Sequence, residues 1–177
     1  VVEQSAERSQ ARVTGPMIDM IPPGETERTI ARLADPAIRI VTLTITEGGY
    51  CIDPATGRFD PAHPEIAADA TSPEHPVTVF GLILAGLERR RAAGTPPFTV
   101  ASCDNLPHNG EVTRAAVAGL AELRDPKLAA WVQAEVAFPN AMVDRITPAT
   151  GQRERDLVKA EHGVEDELRF QCVPESW

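Results

Sequence analysis

Apolar positions change period several times along the chain, and each change predicts an element. Residues 11–21 (ARVTGPMIDMI) alternate in character and predict a strand, interrupted near Gly15-Pro16, before the punctuation of Pro22-Pro23-Gly24. Residues 25–36 (ETERTIARLADP) predict a short helix, with acidic groups in its first turn, Ile30, Leu33 and Ala34 on one face, and Pro36 as its stop. Residues 38–46 (IRIVTLTIT) form the strongest strand pattern, β-branched and nearly continuously apolar, as suits a parallel strand covered on both faces. It ends in Glu47-Gly48-Gly49-Tyr50. Residues 51–76 carry Pro54, Pro61, Pro64, Pro73 and Pro76 and predict a long loop, with one helical turn around 65–70.

Helical spacing returns at 77–93 (Phe80, Leu84, Leu87), closes on Glu88-Arg89-Arg90-Arg91 and stops at Gly94. Basic residues in a last turn suit the helix dipole, so the arginine run reads as a helix end and not a phosphate site. A second short strand spans 98–104 (FTVASCD). Asn109 is placed to cap a helix over 110–123, and Pro126 opens another that runs to about Val136, with Trp131, Val132 and Val136 facing the core. A charged helix over 153–167 and a strand over 168–173 (LRFQCV) complete the pattern. The chain opens on Val1-Val2 and passes almost at once into strand-like sequence, as a segment does that follows another.

Strands alternating with helices predict an α/β fold: an incomplete Rossmann-like parallel sheet with flanking helices. Ligands of such sheets gather at the carboxyl ends of the strands. That rule singles out 46–50, 102–105 and the run around Asn140.

Composition narrows the function classes. The formal charge of −9 argues against nucleic acid, because phosphate binding draws on clustered Lys and Arg. The 15 arginines against two lysines, Lys127 and Lys159, read as a compositional habit and not as a binding surface. No stretch approaches the roughly 20 apolar residues that cross a bilayer, so no membrane partner is expected. Residues 1–12 lack the apolar core of a secretory signal. Cys51, Cys103 and Cys172 are odd in number and far apart, which fits a reducing, cytoplasmic setting with free thiols. The glycines never fall as Gly-x-Gly-x-x-Gly or a Walker loop, and no His-Glu-x-x-His or Gly-x-Ser-x-Gly is present. His63, His75, His108 and His162 are scattered, so no metal is expected.

The strand ends carry the candidate chemistry. Thr46-Glu47-Gly48-Gly49 puts a carboxylate and flexible backbone where a dinucleotide meets such a sheet; the competing reading is a tight turn with a solvated Glu. Ser102-Cys103-Asp104-Asn105 repeats the arrangement one unit later, with Asp104 or Asn105 alternatively capping the next helix. His108 on its polar loop reads as a surface residue. FPNAMVDRITP (138–148) interleaves Asn140, Asp144, Arg145 and Thr147 with apolar residues, and buried polar groups require partners. Two readings stand: a buried polar network, or Asn140 as hydrogen-bond donor to a polar substrate.

The pattern Val136, Phe138, Ala141, Val143-Asp144-Arg145-Ile146, Pro148 is similar to the signature of the mannitol dehydrogenase family of long-chain polyol dehydrogenases, mannitol 2-dehydrogenases in particular. TLTITEGGY and SCDNLPHNGEVTRAAV resemble that family's other blocks, in the expected order, and the likeness runs from about Arg12 to Trp177. It implies that 1–177 is part of a Rossmann-like NAD(P)-binding domain, without its first βαβ unit and without the helical catalytic domain. The implied reaction interconverts a sugar alcohol such as mannitol and a ketose such as fructose, with NAD (or NADP) and no metal. The implied roles are Asn140 polarising the reacting oxygen and Thr46 and Glu47 beside the nicotinamide, with Asp104 and Asn105 as weaker cofactor-side candidates. The family's catalytic lysine is expected beyond Trp177, so the chain is expected to be inactive alone; the tail QCVPESW also departs from the family block. The alternative is a non-catalytic interaction or small-molecule-binding module, self-associating through an exposed sheet edge.

Overall fold

The computed structural model describes residues 2–4, 9–11, 15–53, 55–143, 145–146, 151–163 and 171–174. In chain order the elements are β1 (Val2–Gln4), β2 (Ser9–Ala11), α1 (Thr26–Ala34), β3 (Ile40–Leu43), a 3-10 helix (Glu47–Tyr50), β4 (Ile52–Asp53) and β5 (Arg58–Phe59). They continue with α2 (Pro64–Thr71), α3 (Val79–Ala92), β6 (Thr99–Ser102), α4 (Asn109–Arg124), α5 (Pro126–Glu135), β7 (Arg145–Ile146), α6 (Gln152–His162) and β8 (Gln171–Pro174).

The chain divides into two compact units. One comprises residues 1–20 and 144–177. Its sheet has the order β2-β1-β8-β7, with β1 parallel to β8 and the outer pairs antiparallel. Helix α6 starts where Gly151 N–H donates to Glu154 Oε2 (2.9 Å) and ends at Gly163.

The other unit, residues 21–143, holds the main core. Strands β3 and β6 pair in parallel, Ile40 opposite Thr99 through Leu43 opposite Ser102. Helices pack against them through Phe80, Leu84, Leu87, Val117, Leu120 and Val132, all wholly buried, each contributing about 1.5–3 kcal/mol relative to exposure. Local caps start α3 and α5. Thr78 Oγ1 accepts from Gly81 N–H (3.0 Å) to cap α3, and buried Asp69 accepts from Val77 N–H (2.6 Å), Thr78 N–H (3.0 Å) and the Thr78 hydroxyl. Asp125 Oδ1 accepts from Lys127 N–H (2.9 Å), with Pro126 at the first position of α5, as the sequence suggested.

The α/β class with a small parallel sheet and flanking helices is as expected; several elements differ. The strand expected over 11–21 is β2 ending at Ala11. Residues 12–14 lie outside the described residues, and 15–20 are irregular, with Met17, Ile18 and Met20 exposed. Strand β3 is shorter than 38–46 and is not covered on both faces: Leu43 is buried but Ile40 is 62% exposed. The proline-rich stretch is no structureless loop. Asp53 turns a β4–β5 hairpin by accepting from Ala55 N–H (2.8 Å) and the Thr56 hydroxyl (3.0 Å), and the turn at 65–70 is the core of α2. Helix α6 stops at His162, five residues short of the expected end, where Gly163 takes a left-handed conformation. Residues 164–170, including the first half of the expected strand 168–173, lie outside the described residues.

The arginine run is a helix end, but Arg90 is buried (2% exposed). Its Nε donates to Pro96 O (2.8 Å), one terminal nitrogen to Leu33 O (3.0 Å) and Asp35 O (2.9 Å), the other to Ile38 O (3.0 Å). The guanidinium lies 5.2 Å over the Phe98 ring. One planar fork thereby satisfies four carbonyls where α1 ends and β3 and β6 begin. Arg89 pairs with Glu27 (2.6 Å) and Arg91 stacks on Trp131 (5.6 Å), so the neighbours bind surfaces while Arg90 binds backbone. Arg90→Lys, which cannot span these carbonyls, is expected to lower unfolding free energy by about 2–4 kcal/mol, read from urea midpoints. A loss no larger than that of Arg89→Lys would contradict the assignment.

Candidate functional site

The parallel register of β3 and β6 brings their carboxyl ends side by side, and Cys103 N–H extends the ladder to Leu43 O (2.8 Å). Thr99 and Cys103 donate toward the β3 side, whereas Val100 N–H donates to Ala137 O (3.0 Å), so residues 136–138 run along the opposite edge of β6. Three chain segments therefore leave the sheet at one end: 44–50, 103–108 and 138–143.

Asp104 organises this end. Its Oδ2 accepts from Ile45 N–H (3.0 Å) and the Tyr50 hydroxyl (2.7 Å), and its Oδ1 accepts from Thr46 N–H (3.1 Å). With the Tyr50 proton committed to the carboxylate, the Ser102 hydroxyl donates across the 2.6 Å contact to Tyr50 Oη. Tyr50 is wholly buried, its ring 5.9 Å from that of Phe80. Its pKa is pushed up to about 12, chiefly by burial and also by Asp104, with Ser102 and Thr113 acting in the lowering direction. Thr46 adopts φ 61°, ψ 166°, a region that β-branched residues avoid, at a cost of roughly 1–3 kcal/mol. The Asp104 bond to its N–H holds it there.

Beyond this turn lies an open cleft of about 450 Å³ lined by Thr46, Glu47, Gly48, Asp104 and Asn105. That size falls within the ~300–1,000 Å³ of small-molecule sites. All four residues proposed from the sequence on the cofactor side thus meet in one cleft. Thr46, Glu47 and Asn105 are exposed there, while the Asp104 oxygens point inward to the bonds just described. Asp104 does not cap α4.

Asn109 does not cap α4 either. It is the first residue of the helix, 1% exposed, and works as a bracket: Oδ1 accepts from Ala141 N–H (2.9 Å), and Nδ2 donates to Ala141 O (2.8 Å) and Asp104 O (3.2 Å). The cap comes from Asn140, whose Oδ1 accepts from Gly110 N–H (2.9 Å). Gly110 is required for this approach, since a Cβ there would lie 2.5 Å from Pro139 O and 2.6 Å from Phe138 O. A backbone N–H can meet only the oxygen of an amide, so the Asn140 Nδ2 is turned away from the helix, on an exposed residue. Asn140 is outside the lining of the cleft and is tied to it through Asn109. Asp144 and Thr147 lie outside the described residues. His108 is exposed, 3.5 Å from Glu111, as expected of a surface residue.

The sequence reading missed Tyr50, Ser102 and Asn109 as supports of the site. Their signal was a lone aromatic and small polar residues flanking the candidate positions.

Residues 1–174 match the family model described as the mannitol dehydrogenase Rossmann domain. The chain is 55% identical over 175 residues to a mannitol 2-dehydrogenase of Cereibacter sphaeroides, covering 98% of this chain and 36% of that protein. It is 48% identical over 162 residues to a polyol:NADP oxidoreductase of Gluconobacter oxydans (strain 621H), covering 91% and 33%. The chain therefore spans about a third of the length of these relatives. Among solved structures, it resembles a D-sorbitol dehydrogenase in substrate-free form (TM-score 0.90, 45% identity, 97% of this chain and 36% of that one). It also resembles the Pseudomonas fluorescens mannitol 2-dehydrogenase ternary complex with NAD and D-mannitol (TM-score 0.79, 53% identity, 85% and 31%). The family likeness read from the three sequence blocks is borne out.

Tyr50 is the chain's single tyrosine, so tyrosinate absorbance reports it alone. The folded chain should titrate near 12 against 10 for the unfolded chain. Because the folded value is the higher, the stability this proton confers is complete below pH 10 and lost as pH rises toward 12. Asp104→Asn should move the folded midpoint downward; an unshifted midpoint would show that the hydroxyl does not face that carboxylate.

Proposed function

The chain belongs to the mannitol dehydrogenase family, and on that premise we propose that it forms part of the coenzyme-binding domain of an NAD(P)-dependent polyol dehydrogenase. The reaction of this reading interconverts a sugar alcohol such as mannitol and a ketose such as fructose. When bound, the nicotinamide coenzyme takes the hydride from the carbinol carbon in oxidation and returns it in reduction. The cleft fits the nicotinamide-ribose end: it sits at the carboxyl ends of parallel strands, with glycine backbone at Gly48 and the exposed Thr46, Glu47 and Asn105 side chains as polar contacts. Asp104, its oxygens used internally, acts by positioning Thr46.

Asn140 is assigned to the reacting oxygen. As the carbinol is oxidised, its oxygen loses a proton and gains negative character before the carbonyl forms, and a fixed amide donor stabilises that charge without reorganising. The supporting observation is the Gly110 N–H on Asn140 Oδ1, which leaves the donor nitrogen as the outward-facing end of the amide. The cleft lining contains no lysine, and the proton acceptor of this reading comes from outside the lining.

Asn140→Asp separates the two duties of the residue in the intact protein. Aspartate keeps an oxygen for Gly110 N–H, so stability should hold or rise, since a carboxylate suits a helix N-terminus. The outward donor is replaced by an acceptor, so kcat should fall by roughly 10²–10³ with coenzyme affinity little changed. Full kcat in a folded Asn140→Asp protein would sink the role.

A second reading, pairing with another copy, is favoured by the outer edge of β3. That edge has no strand partner among the described residues, and Ile40 is 62% exposed beside it. The 177-residue chain should then run as a dimer in size-exclusion chromatography and Ile40→Lys as a monomer; a monomer from the unsubstituted chain excludes the pairing.

A further inference from the structure

Residues 51–65 carry chemistry that the cleft does not use. Cys51 follows the 3-10 helix in a left-handed conformation (φ 49°, ψ 51°) and is buried (4% exposed). The β4–β5 hairpin returns the chain to it, with Asp60 N–H donating to Cys51 O (2.8 Å). The next turn brings His63 and Glu65, at the start of α2, against the same thiol. One ligand atom from each of Cys51, His63 and Glu65 lies within 4.8 Å of the others. His63 Nδ1 is buried and has no hydrogen-bond partner, a state that costs about 1–3 kcal/mol. The charged groups acting on Cys51 are the carboxylates of Glu65, Asp69 and Asp60, so the site has a negative field around a soft donor.

Thiolate, imidazole and carboxylate are the donor set of zinc, whose bonds of ~2.0–2.3 Å place tetrahedral donors about 3.3–3.8 Å apart. Closing the cluster onto an ion requires a contraction of at most about 1–1.5 Å. Exposed Glu65 can supply that movement by rotation. Three protein ligands leave a fourth position for water. We propose that Cys51, His63 and Glu65 form a structural site for a zinc-class divalent cation that staples the hairpin and the start of α2 to the end of the Glu47–Tyr50 turn. The ion takes no part in hydride transfer. It acts on the cleft indirectly, because Cys51 is bonded to Tyr50, whose hydroxyl holds Asp104.

Cobalt(II), added to the chelator-treated intact protein, tests the site. One equivalent should bind with a thiolate-to-cobalt charge-transfer band and the visible bands of tetrahedral cobalt, and zinc should displace it. Cys51→Ser should abolish the charge-transfer band. Glu65→Gln, at an exposed position, should leave the metal-free protein's thermal midpoint unchanged and weaken cobalt binding on the order of ten- to a hundredfold, the size of loss that follows damage to a ligand shell. Cys103→Ser and Cys172→Ser should leave the band intact. Zinc should also raise the melting temperature of the unsubstituted protein and not that of Cys51→Ser. A missing band in the unsubstituted protein, its survival in Cys51→Ser, or its loss in Cys103→Ser or Cys172→Ser would each overturn the proposal.

Discussion

The carboxylate of Asp104 is the constraint on which the sheet's functional end depends. Parallel strands emerge from their ladder with unpaired N–H groups, and here two of those beyond β3, on Ile45 and Thr46, both end on one side chain from β6's own exit. The same carboxylate takes the Tyr50 proton, so the turn is pinned at its start and at its finish. Such charge-assisted bonds run about 1.5–3 kcal/mol each, enough to hold Thr46 in a conformation that costs roughly 1–3 kcal/mol. Asn109 passes the constraint on. By bonding both Asp104 O and the backbone of Ala141, it fixes the third segment against the second.

Much of this was legible in the sequence, and for a physical reason. Strand and helix periods are local properties, so the helices α3, α4 and α5 fall within two residues of their expected limits. The positions at the strand ends followed from topology alone, and Thr46, Glu47, Asp104 and Asn105 share a cleft because parallel strands of matched register must end together. What the pattern could not show was which polar group answers which. Asp104 and Asn109 both have the short polar side chain of a helix cap, one in the loop before α4 and one at its first position. Their backbone partners include groups 58–59 residues from Asp104 and 32 residues from Asn109. The cap itself comes from Asn140, 30 residues downstream. Propensity describes a residue's cheapest local bond, and tertiary bonds displaced it at each of these positions.

Arg90 shows the opposite case, in which a readable signal was masked by its neighbours. Counted along α3, it stands three residues after Leu87 and seven after Ile83, both buried, so helical spacing places it on the apolar face. Read as one of three consecutive arginines, it looked like a solvated end. Its burial is tolerated because four backbone carbonyls, of Leu33, Asp35, Ile38 and Pro96, converge on its donors. The guanidinium is thus a cap shared by several elements at once.

Hydrogen-bond capacity separates support from contact at the cleft. Asp104, Asn109, Tyr50 and Ser102 spend their polar atoms on other parts of the fold, and Asn109, Tyr50 and Ser102 are at most 1% exposed. Asn140 is different: its oxygen is held by the helix, and the rigid geometry of the amide then fixes where its donor nitrogen points. Such a residue caps the helix with one end of its amide and turns the other end outward. The cap accounts for a polar side chain within the apolar run of FPNAM, and its neighbour in space is glycine, the one residue that lets the segment come near enough for that bond.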